Sequence, residues 1–208
     1  METGYSVIIA ENIKAICESA ERLVGCLPAR MEGDTIIFNA FGKPCAISTE
    51  GIALDGEFVH DARGVIISLY ALHATTEPAR IEPFKAFREF ENTMPYIGAF
   101  STHTEQILLP YVGKIKQKLD VVKSVLNGSN APVDTGADIS FMVNPLPKIF
   151  LCYLLYEPDD EFPASVTCLY SNNASAFLPI DALADVGEYT SKAIIELLET
   201  SEGQLDTS

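Results

Sequence analysis

Two histidines fall where an imidazole could meet a ligand. His73 and His103 stand on the apolar stripes of two separate helical segments, and Tyr70 and Tyr96 share those stripes. If the two segments pack together, both imidazoles and both phenols share one pocket. A neutral imidazole there serves as a ligand to iron or cobalt, or as a general base. The plainer outcome is two buried histidines with satisfied hydrogen bonds. Arg88 is set among Phe84, Phe87 and Phe90. Its planar guanidinium suits a carboxylate or phosphate held against an aromatic wall; the plainer outcome is a stem that covers apolar surface. The expected ligand-binding set is therefore His73, His103, Tyr70, Tyr96 and Arg88.

Other polar clusters are weaker. His60, Asp61 and Arg63 mark a helix start, where ordinary capping competes with anion binding. Asp159, Asp160 and Glu161 place carboxylates side by side, as a hard cation needs. They lack the spaced ligands and central glycine of a calcium loop, so an acidic hairpin tip is the better reading and no metal site is expected. Neither GxSxG, GxxxxGK[ST], HExxH nor GxGxxG occurs, which leaves no local catalytic signature. Cys17, Cys26, Cys45, Cys152 and Cys168 are an odd number without any CxxC. They read as reduced, mostly core-packed thiols of a cytoplasmic chain, with Cys152 and Cys168 as possible cross-strand neighbours.

The elements that would position these residues are organised around residues 148–170. Ile149 to Tyr156 is an unbroken apolar run, as in a strand buried on both faces. An acidic, proline-bearing loop follows. Then Val166, Cys168 and Tyr170 alternate with Ser165, Thr167 and Leu169, giving a hairpin partner with one more polar face. Upstream, Ile13, Ile16, Cys17, Ala20, Leu23 and Val24 predict a helix over 11–26. Short strands are expected at 35–38, 45–48 and 51–54, separated by glycine turns. A helix follows over 61–75, capped by Asp61. Phe84, Phe87 and Phe90 suit one helical turn with all three rings on one side. A long helical region over 96–126 carries the stripe Tyr96, Phe100, His103, Ile107, Tyr111, Ile115, Leu119, Val122 and Leu126, broken at Pro110 and stopped at Asn127-Gly128. A strand over 138–143 leads into the central hairpin, and a last helix starts at Leu178-Pro179. The fold expected is α+β, with mostly antiparallel sheet in two groups of three strands packed on four or five helices. At 208 residues the chain suits a single domain, with its core over 5–199 and a flexible tail over 200–208.

Charge narrows the partners. The 208 residues carry 29 acidic and 14 basic side chains, a net charge of −15, so nucleic acid and anionic membrane surfaces are poor partners. Lys114, Lys116, Lys118 and Lys123 form only a solvated helix face. No apolar run is long enough to span a membrane, and the N-terminus has no basic leader pattern. A soluble, cytoplasmic protein is expected.

Two stretches, taken in order, carry a family resemblance. One is Arg63-Gly-Val-Ile-Ile-Ser-Leu-Tyr70 followed by Phe87-Arg-Glu-Phe90, Tyr96 and Phe100. The other is Leu146-Pro147, then Glu157-Pro-Asp-Asp-Glu-Phe-Pro163, Leu169 and Leu178-Pro179. Over about residues 60–199 this order resembles an uncharacterised domain-of-unknown-function family of anaerobic bacteria and archaea. The resemblance implies an anaerobe's cytoplasm and the neighbourhood of corrinoid or iron–sulfur chemistry, since some members are fused to a four-cysteine iron–sulfur domain. This chain departs from it in having no CxxC, and no tryptophan where relatives often carry one near Tyr156. The resemblance brings no catalytic residues.

Three functions follow. The first is a ligand-binding or accessory module holding a small organic ligand, a tetrapyrrole or corrinoid among the candidates, between the sheet and the two histidine-bearing helices. The second is a metal-independent enzyme using Asp61 or Glu161 with a histidine as acid–base pair. The third is an acidic protein–protein adaptor docking a basic partner.

Overall fold

The computed structural model describes residues 4–132 and 135–200. The flexible tail expected over 200–208 lies, from residue 201 onward, outside the described residues. The N-terminal helix starts earlier than its apolar stripe suggests and comes in two pieces, α1 (Gly4–Cys17) and α2 (Ala20–Cys26). Ile9, Ile13 and Ile16 are the buried face of α1.

A five-stranded antiparallel meander follows: β1 (Arg30–Glu32), β2 (Thr35–Ala40), β3 (Lys43–Ser48), β4 (Gly51–Leu54) and β5 (Glu57–Phe58), hydrogen-bonded in that order. The three middle strands are those expected. The two edge strands are too short to show a period in sequence. Two-residue turns join β2 to β3 and β4 to β5, with positive φ at Phe41 (51°) and Gly42 (77°), and at Asp55 (53°) and Gly56 (82°). Such turns match the right-handed twist of a hairpin.

Helix α3 (Ala62–Leu72) is capped by Asp61, whose Oδ1 accepts the Arg63 N–H at 2.9 Å. It lies against α1 and also meets the last helix. The second sheet has the order β6-β10-β9-β8-β7 and is antiparallel throughout, with β6 (Lys85–Ala86), β7 (Ser129–Asn130), β8 (Ile139–Leu146), β9 (Ile149–Tyr156) and β10 (Ser165–Tyr170). The expected central hairpin is present, and β9 is the middle strand. Ile149, Leu151, Tyr153 and Leu155 on its one face are fully buried; Cys152 on the other is buried as well. Cys152 pairs with Leu169 and Cys168 with Tyr153, so the two thiols are not cross-strand partners but point to opposite faces.

Between β6 and β7 the chain is helical but not one helix. It runs through α4 (Ile97–Phe100), a π-helical turn (Ser101–Glu105), a 3₁₀ stretch (Gln106–Tyr111) containing Pro110, then α5 (Val112–Gln117) and α6 (Leu119–Val125). The last helix is α7 (Ile180–Thr200). One buried apolar cluster runs through both sheets and the helices between them. The architecture is α+β, as expected, with two groups of five antiparallel strands where two groups of three were read.

The candidate functional site

The π-helical turn decides which side chains face the interior. The buried positions of this region are Phe100, Thr104, Leu108, Val112 and Ile115. The four-residue step from Phe100 to Thr104, across the π turn, is longer than a regular helical turn, as under-winding requires. The stripe read from sequence passed through His103, Ile107 and Tyr111 instead. His103 is accordingly exposed, one position off the inward face.

His73 is exposed as well. It caps the C-terminus of α3, and its Nδ1 lies 2.9 Å from the Leu69 carbonyl, which it can reach only as a donor. The two imidazoles thus do not line an interior pocket, for a physical reason in each case: one ends a helix, the other is turned outward by the π turn. Tyr70 is buried at 1 % exposure, with its ring 6.0 Å from Phe38. Its hydroxyl accepts the Lys148 N–H at 3.0 Å, so it serves the fold. Tyr96 is half-buried and immediately precedes α4.

Arg88 is the expected site residue that lines a cleft. That cleft, about 280 Å³, lies between the 3₁₀ turn Phe87–Glu89, the start of the π turn and β10. Phe87 and Phe100 stack in its wall, with centroids 4.5 Å apart and planes within 16°. Ile97, the neighbour of Tyr96, adds a further apolar surface. Phe90 meets edge-on the same Tyr170 ring against which Phe87 and Phe100 pack, while Phe84 is only half-buried. Of the three phenylalanines expected on one side, Phe87 and Phe90 are both buried against Tyr170.

Glu105, at the end of the π turn, lines the same cleft as Arg88. The peptide N–H of Cys168 donates to its Oε1 at 3.0 Å. Burial pushes its pKa up, and the Cys168 amide, the Ser101 hydroxyl and the Arg88 guanidinium offset part of that rise. Beneath the turn, the Ser191 hydroxyl donates to the Thr104 carbonyl at 2.7 Å, and Tyr153 Oη lies 3.0 Å from Ser191 Oγ. With its own proton given to Thr104, Ser191 must accept from Tyr153. The Thr104 hydroxyl is buried with no partner among the described residues. A half-buried carboxyl and a guanidinium in one cleft with stacked rings in its wall can hold a small polar molecule by both groups.

Sequence reasoning missed Glu105. Regular helical spacing from Phe100 and His103 turns position 105 to the solvent, and the amide that holds it comes from a strand 63 residues away. The three buried thiols are poor nucleophiles in this setting. Burial pushes Cys45 to about 12 and Cys152 to about 11, and Cys168 up as well. The acidic loop is tied by a local turn, in which Asp159 Oδ1 accepts the N–H groups of Glu161 and Phe162 at 2.8 and 2.7 Å, and by the Lys116–Glu157 ion pair at its start.

A family model described as a domain of unknown function (DUF3786) matches residues 19–193. The chain belongs to this family. No curated protein and no solved structure matches it. The family segment includes both sheets, α3, the π turn and every residue that lines the Arg88–Glu105 cleft. Among the described residues, no helix is long and apolar enough to cross a membrane.

Proposed function

We propose that the protein is a ligand-binding module whose site is the cleft between Arg88 and Glu105. The ligand is a small organic acid that also carries a hydrogen-bond donor, such as an amino or hydroxy acid with an apolar side chain. Its carboxylate meets Arg88, its donor meets the Glu105 carboxyl, and its apolar part rests against Phe87, Ile97 and Phe100. The observation that carries this reading is a half-buried carboxyl, raised in pKa, in one cleft with a guanidinium and the rings of Phe87 and Phe100. At about 280 Å³ the cleft falls at the small end of ligand sites, which usually run from about 300 to 1,000 Å³. That size and the exposure of His73 and His103 favour a small acid over a tetrapyrrole or corrinoid. Five free cysteines, three of them buried, support a reducing compartment such as the cytoplasm.

The same carboxyl favours one alternative, a metal-independent enzyme in which Glu105 is the general acid or base. It differs from the His–carboxylate pair expected from sequence in that no imidazole lines the cleft. A panel of leucine, phenylalanine and their 2-hydroxy analogues, titrated calorimetrically, tests the binding reading. Saturable binding should weaken at least about tenfold, or about 1.4 kcal/mol, in Arg88→Gln and in Glu105→Gln. It should persist in the His73→Ala/His103→Ala double variant. Binding that ignores Arg88→Gln and Glu105→Gln would remove the cleft from consideration. Conversion of a bound acid, seen by NMR of the mixture and lost in Glu105→Gln, would favour the enzyme.

A further inference from the structure

The π turn that carries Glu105 is irregular backbone, and its place in the fold is set from outside. The Gln106 N–H bonds to the Ser101 carbonyl, five residues back. Such a turn is wider than an α-helical one, and its carbonyls look for partners beyond the helix. The Thr104 hydroxyl gives the turn no help, since it is buried with no partner among the described residues. A buried polar group left unpaired opposes the arrangement that contains it, so contacts from neighbouring elements must hold the turn.

Those contacts come from α7. A Cβ at Gly187 would lie 2.7 Å from the Phe100 ring and from the Tyr170 hydroxyl, and 3.0 Å from the Thr104 methyl. The helix comes this close to the turn because position 187 has no side chain. Ser191 stands one helical turn further on, on the same face, and is fully buried. Its hydroxyl donates to the Thr104 carbonyl at 2.7 Å, and the Tyr153 hydroxyl, 3.0 Å away, fills its acceptor side. A helical Ser or Thr can instead turn its hydroxyl to a carbonyl of its own helix, as Thr190 does with Val186 at 2.6 Å.

The contacts close into a ring. The peptide plane that holds the Thr104 carbonyl also holds the Glu105 nitrogen and Cα, so the Ser191 bond orients Glu105 as well. Glu105 Oε1 accepts the Cys168 N–H at 3.0 Å. Cys168 is in turn the cross-strand partner of Tyr153. The ring passes through β9, α7, the π turn and β10, and Tyr153, Ser191, Thr104 and Cys168 are all fully buried.

We propose that Ser191 and Tyr153 are positioning residues for the Arg88–Glu105 cleft: through the Thr104 carbonyl they fix the direction of the Glu105 carboxyl and keep it against the Cys168 amide. Neither residue lines the cleft. The consequence for a ligand rests on that cleft being the binding site; the consequence for the Glu105 carboxyl does not.

The test follows the titration of Glu105 by NMR in the full chain, native and as Ser191→Ala, Tyr153→Phe and Thr190→Val. The charged or titratable groups coupled to Glu105 are Arg88, Cys168 and Tyr170, and all three are kept in these variants. In the native chain the Cys168 amide proton should shift along with the Glu105 titration, because it donates to that carboxyl. In Ser191→Ala and Tyr153→Phe the carboxyl should swing toward water, titrate nearer its ordinary value of 4.5 and release the Cys168 amide. Tyr153→Phe keeps the ring that stacks on Phe141, so it decides the matter even if Ser191→Ala does not fold. Thr190→Val removes a buried hydroxyl from the adjacent position of α7 and should change neither signal. Leucine, as a probe of the cleft, should bind Ser191→Ala at least about threefold more weakly than the native chain. A native-like Glu105 titration and Cys168 response in Tyr153→Phe would overturn the proposal, as would an equal change in Thr190→Val. A native chain that binds no leucine would count against the ligand class alone, because the Glu105 titration decides the roles of Ser191 and Tyr153 without it.

Discussion

Glu105 is held between burial, which resists its charge, and three donors that favour it: the Cys168 amide, the Ser101 hydroxyl and the Arg88 guanidinium. Burial is the largest influence, so the carboxyl keeps its proton above its ordinary value of 4.5. The sign of the pH dependence follows. As pH rises past 4.5 the unfolded chain releases this proton first, while the folded chain still binds it. Stability contributed by the protonated carboxyl is full below that value and falls as pH rises through the folded pKa. Glu105→Gln keeps an oxygen for the Cys168 amide but cannot ionise. Its stability relative to the native chain should therefore increase between about pH 4 and pH 7, measured by urea unfolding at both values. A difference that stayed constant or fell would mean that the donors outweigh burial.

At the scale of elements, the β2–β3 hairpin shows what a turn owes to its neighbours. Gly42 has φ 77°, and a Cβ there would collide with the Val125 carbonyl oxygen, a backbone atom that cannot swing away. Gly33 has φ 60° but nothing within 4 Å of such a Cβ. Gly33→Ala meets only the backbone penalty, about 1 kcal/mol, whereas Gly42→Ala adds a clash and should cost roughly 2–4 kcal/mol. Chemical denaturation of the two variants side by side checks the difference. Equal losses would show that the hairpin tip moves freely off α6. The central hairpin β9–β10 was legible because an unbroken apolar run and an alternating one each have a period to read. The edge strands β5, β6 and β7, two residues each, have none. The π turn misled the stripe through His103, because inserting a residue per turn shifts every later side chain until the 3₁₀ stretch restores the phase. Arg88 was legible from its aromatic neighbours; Glu105 became visible only once β10 had brought the Cys168 amide to it.

Across the whole molecule, Lys148 joins parts of the chain that are far apart in sequence. It sits in the turn between β8 and β9, only 9 % exposed, and its Nζ donates to the carbonyls of Thr75 at 2.6 Å and Glu77 at 2.9 Å. Its N–H donates to Tyr70 on α3, and its ammonium lies 5.4 Å over the ring of Phe177. The segment it holds is fastened again by Asn173, whose Oδ1 accepts the Arg80 N–H at 2.7 Å and whose Nδ2 donates to the Pro78 carbonyl. The connection between the two sheets is thus tied down from the second sheet's side. Lys148→Met keeps the length and the apolar stem but leaves two carbonyls without their donor, at about 1–3 kcal/mol each. A loss of roughly 2–4 kcal/mol is expected, since water can reach part of the loop and replace some of what is lost. The continuous buried cluster through both sheets further predicts one cooperative urea transition with an unchanged slope in native and variant protein. Two transitions in the variant, monitored by tyrosine fluorescence and by far-ultraviolet circular dichroism, would mean that Lys148 and not the shared core couples the sheets. In that case the chain would divide into two folding units at the segment following α3.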